Sequence, residues 1–214
     1  MSLFITLEGG EGSGKSEQAM ALYRRLYRMD ISSVLTREPG VTPLGRRIAY
    51  LLKWQQKVLI SPMAEVMLFN ASRAQLLTEL IRPSLADGKV VICDRYYDST
   101  LAYQGYGRGL DLEAVRAVNG AGTLGLAPDV TILLDIDCEA GFARKKGKRI
   151  DRFEQETMDF HRRVRQGFLE MAKAEPERWI VVDASQTRAR VSRDIWLKVA
   201  PLFDRNNGIN NKRK

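Results

Sequence analysis

The sequence predicts an α/β domain in which a five-stranded parallel sheet is flanked by helices. Five short segments are rich in apolar, β-branched residues and are bounded by polar residues, glycine or proline, as buried strands are. They are residues 3–8, 32–36, 90–94, 130–136 and 179–184. Amphipathic patterns alternate with these segments, which is typical of right-handed β-α-β crossovers, and a glycine-rich loop follows the first strand. The helical patterns occupy residues 16–29, 62–86, 155–174 and 188–203.

The individual elements differ in the clarity of their patterns. The strand SSVLT at residues 32–36 is the weakest of the five. The first helix has Leu22, Leu26 and Met29 at helical spacing. Pro83 is expected to kink or end the second helix, because proline lacks the backbone N–H that a helix interior uses. Ligands of such sheets bind beyond the carboxyl ends of the strands, so residues that follow the strands are the first candidates for a site.

The composition is that of one folded domain. The chain has 214 residues, of which 44% are hydrophobic and 28% charged, close to the averages for soluble domains. No apolar run approaches the roughly 20 residues of a membrane helix, and the N-terminus MSLFITLEGG lacks the features of a signal peptide. A cytoplasmic protein without a membrane partner is therefore expected, with a single domain at residues 1–205 and a disordered basic tail at residues 206–214.

The net charge of +8 has two possible explanations, an anionic small substrate or a nucleic-acid surface. A basic cluster, ARKKGKRIDR at residues 143–152, can serve a polyphosphate substrate without any nucleic acid. Cys93 and Cys138 lack the spacing of a metal site or a redox motif, so both are interpreted as buried, reduced thiols.

The loop after the first strand predicts binding of a nucleoside triphosphate. Residues 9–16 read GGEGSGKS and fit G-x-x-x-x-G-K-[ST] between a strand and a helix. Glycines allow successive backbone N–H groups to point at phosphate oxygens, Lys15 reaches the β- and γ-phosphates, and the Ser16 hydroxyl binds Mg²⁺. The fold is thus predicted to be a P-loop nucleoside triphosphate hydrolase-like three-layer sandwich. The predicted ATP-binding residues of the loop are Gly9, Gly10, Glu11, Gly12, Ser13, Gly14, Lys15 and Ser16.

Residues after two other strands favour transfer to a second substrate over hydrolysis. The strand at 90–94 ends in Asp94, which can contact Mg²⁺ through a water, and Arg95 follows where many ATPases carry a water-activating Glu. Arg37 follows the strand at 32–36 in the same way. Two guanidiniums suit one tetrahedral phosphate, because each offers bidentate donors. The basic segment, at about 143–153, is predicted to be a lid that closes over the triphosphate and excludes water.

Several motifs resemble those of the thymidylate (dTMP) kinases and run in the order of that family along nearly the whole chain. They are LEGGEGSGKS, TREPG, the helix with Phe69 and Arg73, DRYYDSTLAYQG at 94–105, PDVTILLDI at 128–136 and DRFEQE at 151–156. The resemblance implies a sheet of strand order 2-3-1-4-5 and a homodimer. It also implies transfer of the γ-phosphoryl group of ATP to dTMP with Mg²⁺, for dTTP synthesis, and no nucleic-acid partner.

The resemblance also assigns the dTMP site. Phe69 would stack on thymine and Arg73 would donate to thymine O4, while Tyr103 would lie against the sugar and crowd a 2′-hydroxyl. Arg37 and Arg95 would hold the acceptor phosphate. The full predicted dTMP site comprises Glu11, which would approach the 3′-hydroxyl, with Arg37, Phe69, Arg73, Arg95, Ser99, Thr100, Tyr103 and Gln104.

The lid resembles the branch of the family that carries its catalytic arginine there. Arg149 is the predicted catalytic lid residue because it lies at the centre of the lid, and Arg144 is predicted to cover adenine near Ser185. Arg152 remains an alternative for the catalytic cation. The predicted catalytic residues are Lys15, Asp94, Arg95 and Arg149, with Ser16 and Asp94 at the metal.

Two alternatives to a dTMP kinase remain open from the sequence. One is another nucleoside monophosphate or deoxynucleoside kinase, since Phe69, Arg73 and Tyr103 alone would decide base and sugar. The other is a nucleic-acid-dependent ATPase, which the basic composition allows. Val41 stands where the family usually has glycine and is expected to restrict the loop that carries Arg37.

Overall fold

The computed structural model of the chain describes residues 2–55, 57–145 and 150–210, and contains one five-stranded parallel sheet. The strands are β1 Leu3–Glu8, β2 Ser33–Arg37, β3 Val90–Asp94, β4 Val130–Asp135 and β5 Trp179–Asp183. Their order is β2-β3-β1-β4-β5. The predicted fold class and strand order are both confirmed, and the strand bounds lie within one residue of those predicted.

Helices pack against the sheet and form the outer layers. They are α1 Lys15–Arg28, α2 Pro43–Trp54, α3 Pro62–Leu76, α4 Arg82–Ala86, α5 Tyr97–Thr100, α6 Leu112–Thr123, α7 Cys138–Ala143, α8 Met158–Ala174 and α9 Arg188–Asn210. Two π-helical segments, Leu77–Ile81 and Leu101–Gly107, join neighbouring helices.

The helix predicted at residues 62–86 is one continuous helical path in three parts, α3, the π-helical segment Leu77–Ile81 and α4. Pro83 lies near the start of α4, directly after the π-helical segment, and the helical path continues past it to Ala86, so Pro83 does not end the helix. The helix predicted at 188–203 continues as α9 to Asn210. Residues 206–210, assigned from sequence to the tail, therefore belong to this helix, and residues 211–214 lie outside the described residues.

The strands β1 and β3 form the centre of the core. Every residue of β3 is buried, and so is β1 apart from its first residue. On one side of the sheet α1 and α9 supply Leu22, Leu26 and Ile195 to a cluster with Ile5 and Ile92. Burial of these aliphatic side chains fixes the strands, and the parallel register then brings Glu8, Arg37, Asp94 and their neighbours to one edge of the sheet.

Both cysteines carry free thiols. Cys93 is fully buried, whereas Cys138 is half-buried. Burial raises the pKa of each thiol above its usual value, which disfavours the reactive thiolate. Within the described ranges, no helix combines the length and the apolar character that crossing a membrane requires.

Candidate active site

A cavity of about 980 Å³ opens at the carboxyl end of the sheet. The phosphate loop and the start of α1 form its floor. Residues after β2 and β3, the helix α3 and both ends of the lid complete its walls. Among the residues predicted from sequence, those that line this cavity are Glu11, Gly12, Ser13, Gly14, Lys15, Ser16, Arg37, Phe69, Arg73, Asp94, Arg95, Ser99, Thr100, Tyr103, Gln104 and Arg144.

The phosphate loop has the backbone that its glycines predict. Gly9, Gly12 and Gly14 have positive φ angles of 142°, 68° and 89°, which side chains rarely adopt. A Cβ atom on Gly12 would collide with the backbone of Gly141 in α7, which precedes the lid. Lys15 closes the loop, since its Nζ donates to Gly9 O at 2.9 Å and to Gly10 O at 2.7 Å.

Burial and the neighbouring Arg95 lower the pKa of Lys15 to about 8. We expect kcat/KM for ATP to fall as the pH rises through about 8, by about tenfold per further unit, because the free protein then loses the ammonium that receives the phosphates. Initial rates between pH 6.5 and 10 measure this. Bound triphosphate favours the charged form, so kcat with both substrates saturating serves as the control and stays flat near pH 8. A constant kcat/KM for ATP up to pH 10 would contradict the assignment.

Ser16 and Asp94 meet at the start of α1. Ser16 Oγ donates a hydrogen bond to Asp94 Oδ2. The other carboxylate oxygen, Asp94 Oδ1, is buried and has no hydrogen-bond partner in the part of the chain that the structure describes. A hydroxyl beside an unsatisfied carboxylate oxygen at a phosphate loop fits Mg²⁺, which prefers oxygen ligands.

Arg95 lies at the centre of the site in a strained backbone conformation, with φ of 70°. Its Nη1 donates to Gly9 O at 3.3 Å and to Ser99 Oγ at 3.0 Å. Its Nη2 donates to Glu11 Oε1 at 3.0 Å and to Tyr103 Oη at 3.1 Å. The guanidinium is thus aimed at the phosphate loop, and it shares the carbonyl of Gly9 as a hydrogen-bond acceptor with Lys15.

Arg37 lies at the end of β2, where it is paired in register with Asp94, the residue before Arg95. It is exposed and lines the same cavity as Arg95. Its guanidinium has no hydrogen-bond or ion-pair partner among the residues of the described ranges. The structure therefore brings both predicted arginines to one cavity, where both terminal nitrogens of Arg95 donate hydrogen bonds and the guanidinium of Arg37 donates none to the described residues.

The end of the cavity at α3 contains Phe69, half-buried, with its ring 5.7 Å from that of Phe153. Arg73, one turn later, is only 1% exposed. All five of its N–H groups face acceptors, which are Glu38 Oε2, Asn70 Oδ1, Asn119 Oδ1, the Tyr96 carbonyl and Thr100 Oγ1. Arg73 thus lines the expected base subsite, but every donor is already in use.

Glu11 joins the phosphate loop to three other parts of the site. Its carboxylate accepts hydrogen bonds from Arg95, from Tyr103 Oη at 2.9 Å and from Lys145 Nζ at 2.9 Å. Burial alone would raise the pKa of Glu11, but Arg95, Lys15 and Lys145 outweigh it and hold the pKa well below its usual value. Glu11 is therefore an ionised acceptor that aligns Arg95 and Tyr103.

The lid contacts the site at both of its described ends. Arg144 donates to Ala184 O at 2.8 Å and to Ser185 O at 2.9 Å, so it lies beside the loop after β5; its contact with adenine stays a prediction. Ser185 takes part through its carbonyl, while Ala184 and Gln186 line the cavity. Arg152 points away from the phosphate loop and pairs with Glu65 at 2.8 Å. Arg149 lies outside the described residues.

Sequence reasoning missed several residues of the site, among them Lys145, Glu38, Phe153 and Glu154. Lys145 bridges Glu11 and Glu154, and its signal in the sequence was its place in the basic segment 143–152. Glu38 has one buried oxygen without a partner in the described ranges, beside Arg73. The position of Glu38 between Arg37 and the proline of TREPG was the available signal.

Comparison with known proteins identifies the family. The family model described as thymidylate kinase matches residues 7–195 of the chain. The chain belongs to the thymidylate kinase family. The resemblance inferred from the motifs is thereby confirmed, and the sheet order and the phosphate loop are those expected for the family.

Individual relatives agree with this membership. The chain is 53% identical over 203 residues to a thymidylate kinase of Dehalococcoides mccartyi, with 95% of this chain and 98% of that protein covered. It is 48% identical over 200 residues to one of Deinococcus radiodurans, with coverage of 92% and 96%. The crystal structure of a thymidylate kinase from Ehrlichia chaffeensis superimposes with a TM-score of 0.70 at 36% identity, covering 86% of this chain and 94% of that one.

Proposed function

We propose that the chain transfers the γ-phosphoryl group of ATP to dTMP and releases ADP and dTDP, a step towards dTTP. One observation carries this proposal. Lys15 and Arg95 come from different strand ends, yet both donate to the carbonyl of Gly9, at 2.9 and 3.3 Å. A donor phosphate held by Lys15 and an acceptor phosphate held by Arg95 and Arg37 would therefore lie next to each other.

The chemistry requires positioning and charge neutralisation more than proton transfer. An oxygen of the dTMP phosphate attacks the γ-phosphorus of ATP, and the bond between that phosphorus and the β–γ bridging oxygen breaks to release ADP. Lys15 and Arg95 neutralise the charge on the transferred group and the acceptor. Lys145 reaches the phosphate loop from the lid, so we assign it, together with the sequence-predicted Arg149, to the lid cations that cover the phosphates.

The acceptor nucleoside is proposed to lie between Phe69 and Tyr103. Phe69 stacks on thymine, and the carboxylate of Glu11 accepts a hydrogen bond from the 3′-hydroxyl. Because the donors of Arg73 are all in use, a bond to thymine O4 requires Arg73 to release one partner. Thr100 is the best candidate, since a hydroxyl can turn to another partner more cheaply than a backbone carbonyl can move.

Mg²⁺ is proposed as the cofactor, held by Ser16 with Asp94 beside it. When bound, the ion would neutralise the β- and γ-phosphate oxygens. Asp94 supplies the negative charge that draws the ion to the start of α1, and Ser16 supplies a hydroxyl ligand.

We also propose a cytoplasmic homodimer. Tyr50 on α2 and Met67 on α3 are 56% and 57% exposed on helices that pack against each other. Exposed apolar side chains on neighbouring helices are typical of a surface that a second copy covers. Sedimentation at micromolar concentration measures the assembly, and a monomer would contradict it.

A panel of acceptors tests the proposed function. With ATP and Mg²⁺, ADP release is expected to be fastest with dTMP, slower with dUMP and UMP, and nearly absent with AMP and GMP. ATP turnover that depends on DNA and needs no monophosphate would contradict the proposal.

Phe69→Ala tests the base subsite within the same panel. Loss of the stacking ring is expected to lower kcat/KM for dTMP by about 10–100-fold, with the affinity for ATP retained. Phe142→Ala is the matched control, because Phe142 is a half-buried ring that packs on His161 and does not line the cavity. Equal losses in the two variants would show that Phe69 acts through packing alone.

A further inference from the structure

The side-chain amide of Gln104 is held in one orientation by a residue outside the cavity. Gln104 lines the cavity and is 1% exposed. Its Nε2 donates to Glu65 Oε2 at 3.1 Å. Its Oε1 is buried and has no partner among the residues that the structure describes.

Glu65 determines the orientation of the Gln104 amide because both oxygens of its carboxylate can only accept hydrogen bonds. Arg152 Nη2 donates to Glu65 Oε1 at 2.8 Å, and Arg108 donates to both oxygens at 3.2 and 3.3 Å. With two guanidiniums around it, the carboxylate stays an acceptor for the amide N–H of Gln104. The reversed amide would place Gln104 Oε1 against the carboxylate oxygen of Glu65. The carbonyl of Gln104 therefore points away from Glu65 and is available to a hydrogen-bond donor.

Pyrimidine bases differ in whether they carry a hydrogen-bond donor for the Gln104 carbonyl. Thymine carries N3–H, whereas cytosine has a lone pair at N3. Glu65 and Phe69 lie four residues apart on α3 and so on one face of that helix, which places the Gln104 amide and the proposed stacking ring at the same end of the cavity. A carbonyl there stabilises a base with an N3–H donor and is left unpaired by one without it.

We propose that Glu65 is a positioning residue for base selection: it fixes the Gln104 amide so that the carbonyl faces the acceptor base and favours thymine over cytosine. This inference rests on the proposed function, and it assigns selectivity to a residue that does not line the cavity.

The test compares dTMP with 5-methyl-dCMP, which carries the same methyl group and differs only along the N3 and C4 edge. In Glu65→Gln, the new amide can donate to Gln104 Oε1, so Gln104 is free to invert and present its N–H groups to the base. The ratio of kcat/KM for dTMP to that for 5-methyl-dCMP is expected to fall at least about tenfold. The change should lie mainly in KM, because the base is remote from the transferred group.

Arg108→Gln is the matched control. It removes a partly buried charge partner of Glu65 but leaves the carboxylate against Gln104, so the Tm should fall as in Glu65→Gln while the substrate ratio stays near that of the unaltered protein. A ratio within twofold of the unaltered protein in Glu65→Gln would overturn the inference.

A second variant decides the matter if Glu65→Gln does not fold. Gln104→Met keeps the side-chain volume and removes the carbonyl, so the same fall in the ratio is expected, and an unchanged ratio again overturns the inference. Failure of the proposed function is distinct, because the unaltered protein would then leave dTMP itself unphosphorylated.

Discussion

Replacing Arg95 with alanine is expected to lower kcat/KM for dTMP by about 10²–10³-fold, the cost of removing a charged donor from a transferring phosphoryl group. The affinity for ATP should change little, since Lys15 and the loop amides remain. Arg95 donates to Gly9, Glu11, Ser99 and Tyr103, so its guanidinium is held in place before a substrate arrives. Initial rates against dTMP concentration, with separate ATP-binding titrations, measure both quantities.

Arg116→Ala is the control for the lost charge. Arg116 is an exposed arginine of α6 that pairs with Glu113 at 2.5 Å and does not line the cavity. It removes the same charge from the protein as a whole, and its kinetic constants should match those of the unaltered protein. Full activity in Arg95→Ala would refute the acceptor-phosphate assignment.

Replacing Lys15 with alanine is expected to impair phosphoryl transfer from the ATP side of the site, as Arg95→Ala does from the dTMP side. The value of kcat should fall on the order of 10³-fold, because Lys15 is the only side-chain cation of the phosphate-loop sequence and is proposed to bind the β- and γ-phosphates. Binding of dTMP alone should persist. Single-turnover rates separate the loss of chemistry from a loss of ATP binding.

The Tm of Lys15→Ala should be equal to or above that of the unaltered protein, because a buried ammonium that is costly to desolvate is removed. Lys89→Ala, at a surface lysine paired with Asp87, controls for the change in charge. A large fall in the Tm of Lys15→Ala would mean that Lys15 acts through stability, and its kinetic loss would then say little about phosphate binding.

Features encoded by local pattern were predictable from the sequence. The buried strands are short apolar runs, and a parallel sheet places the residues that follow them, such as Arg37 and Asp94, at one edge. The phosphate loop was predictable because only its glycines permit that backbone. Helices α2 and α6 were missed, since Gly45 and Gly120 interrupt their patterns, and the π-helical segment Leu101–Gly107 was missed because it has no simple period.

Contacts between distant parts of the chain were not predictable. Lys145 meets Glu11 across 134 residues of sequence, and Gln104 meets Glu65 across 39. No local pattern marks such a pair, because the fold alone brings its members together. Arg73 illustrates the same limit: the family resemblance predicted a place in the base subsite for it, but the acceptors that occupy all its donors come from separate loops and helices.

The central claim is that two phosphorylated ligands bind together in one cavity, each held by its own cations. Calorimetry with a β,γ-imido analogue of ATP and with dTMP tests it most directly, by titrating each ligand in the absence and in the presence of saturating amounts of the other. The account predicts one dTMP and one analogue bound per chain, with dTMP still binding at full stoichiometry to the analogue-saturated protein. Mutual displacement, with each ligand abolishing the binding of the other, would contradict it.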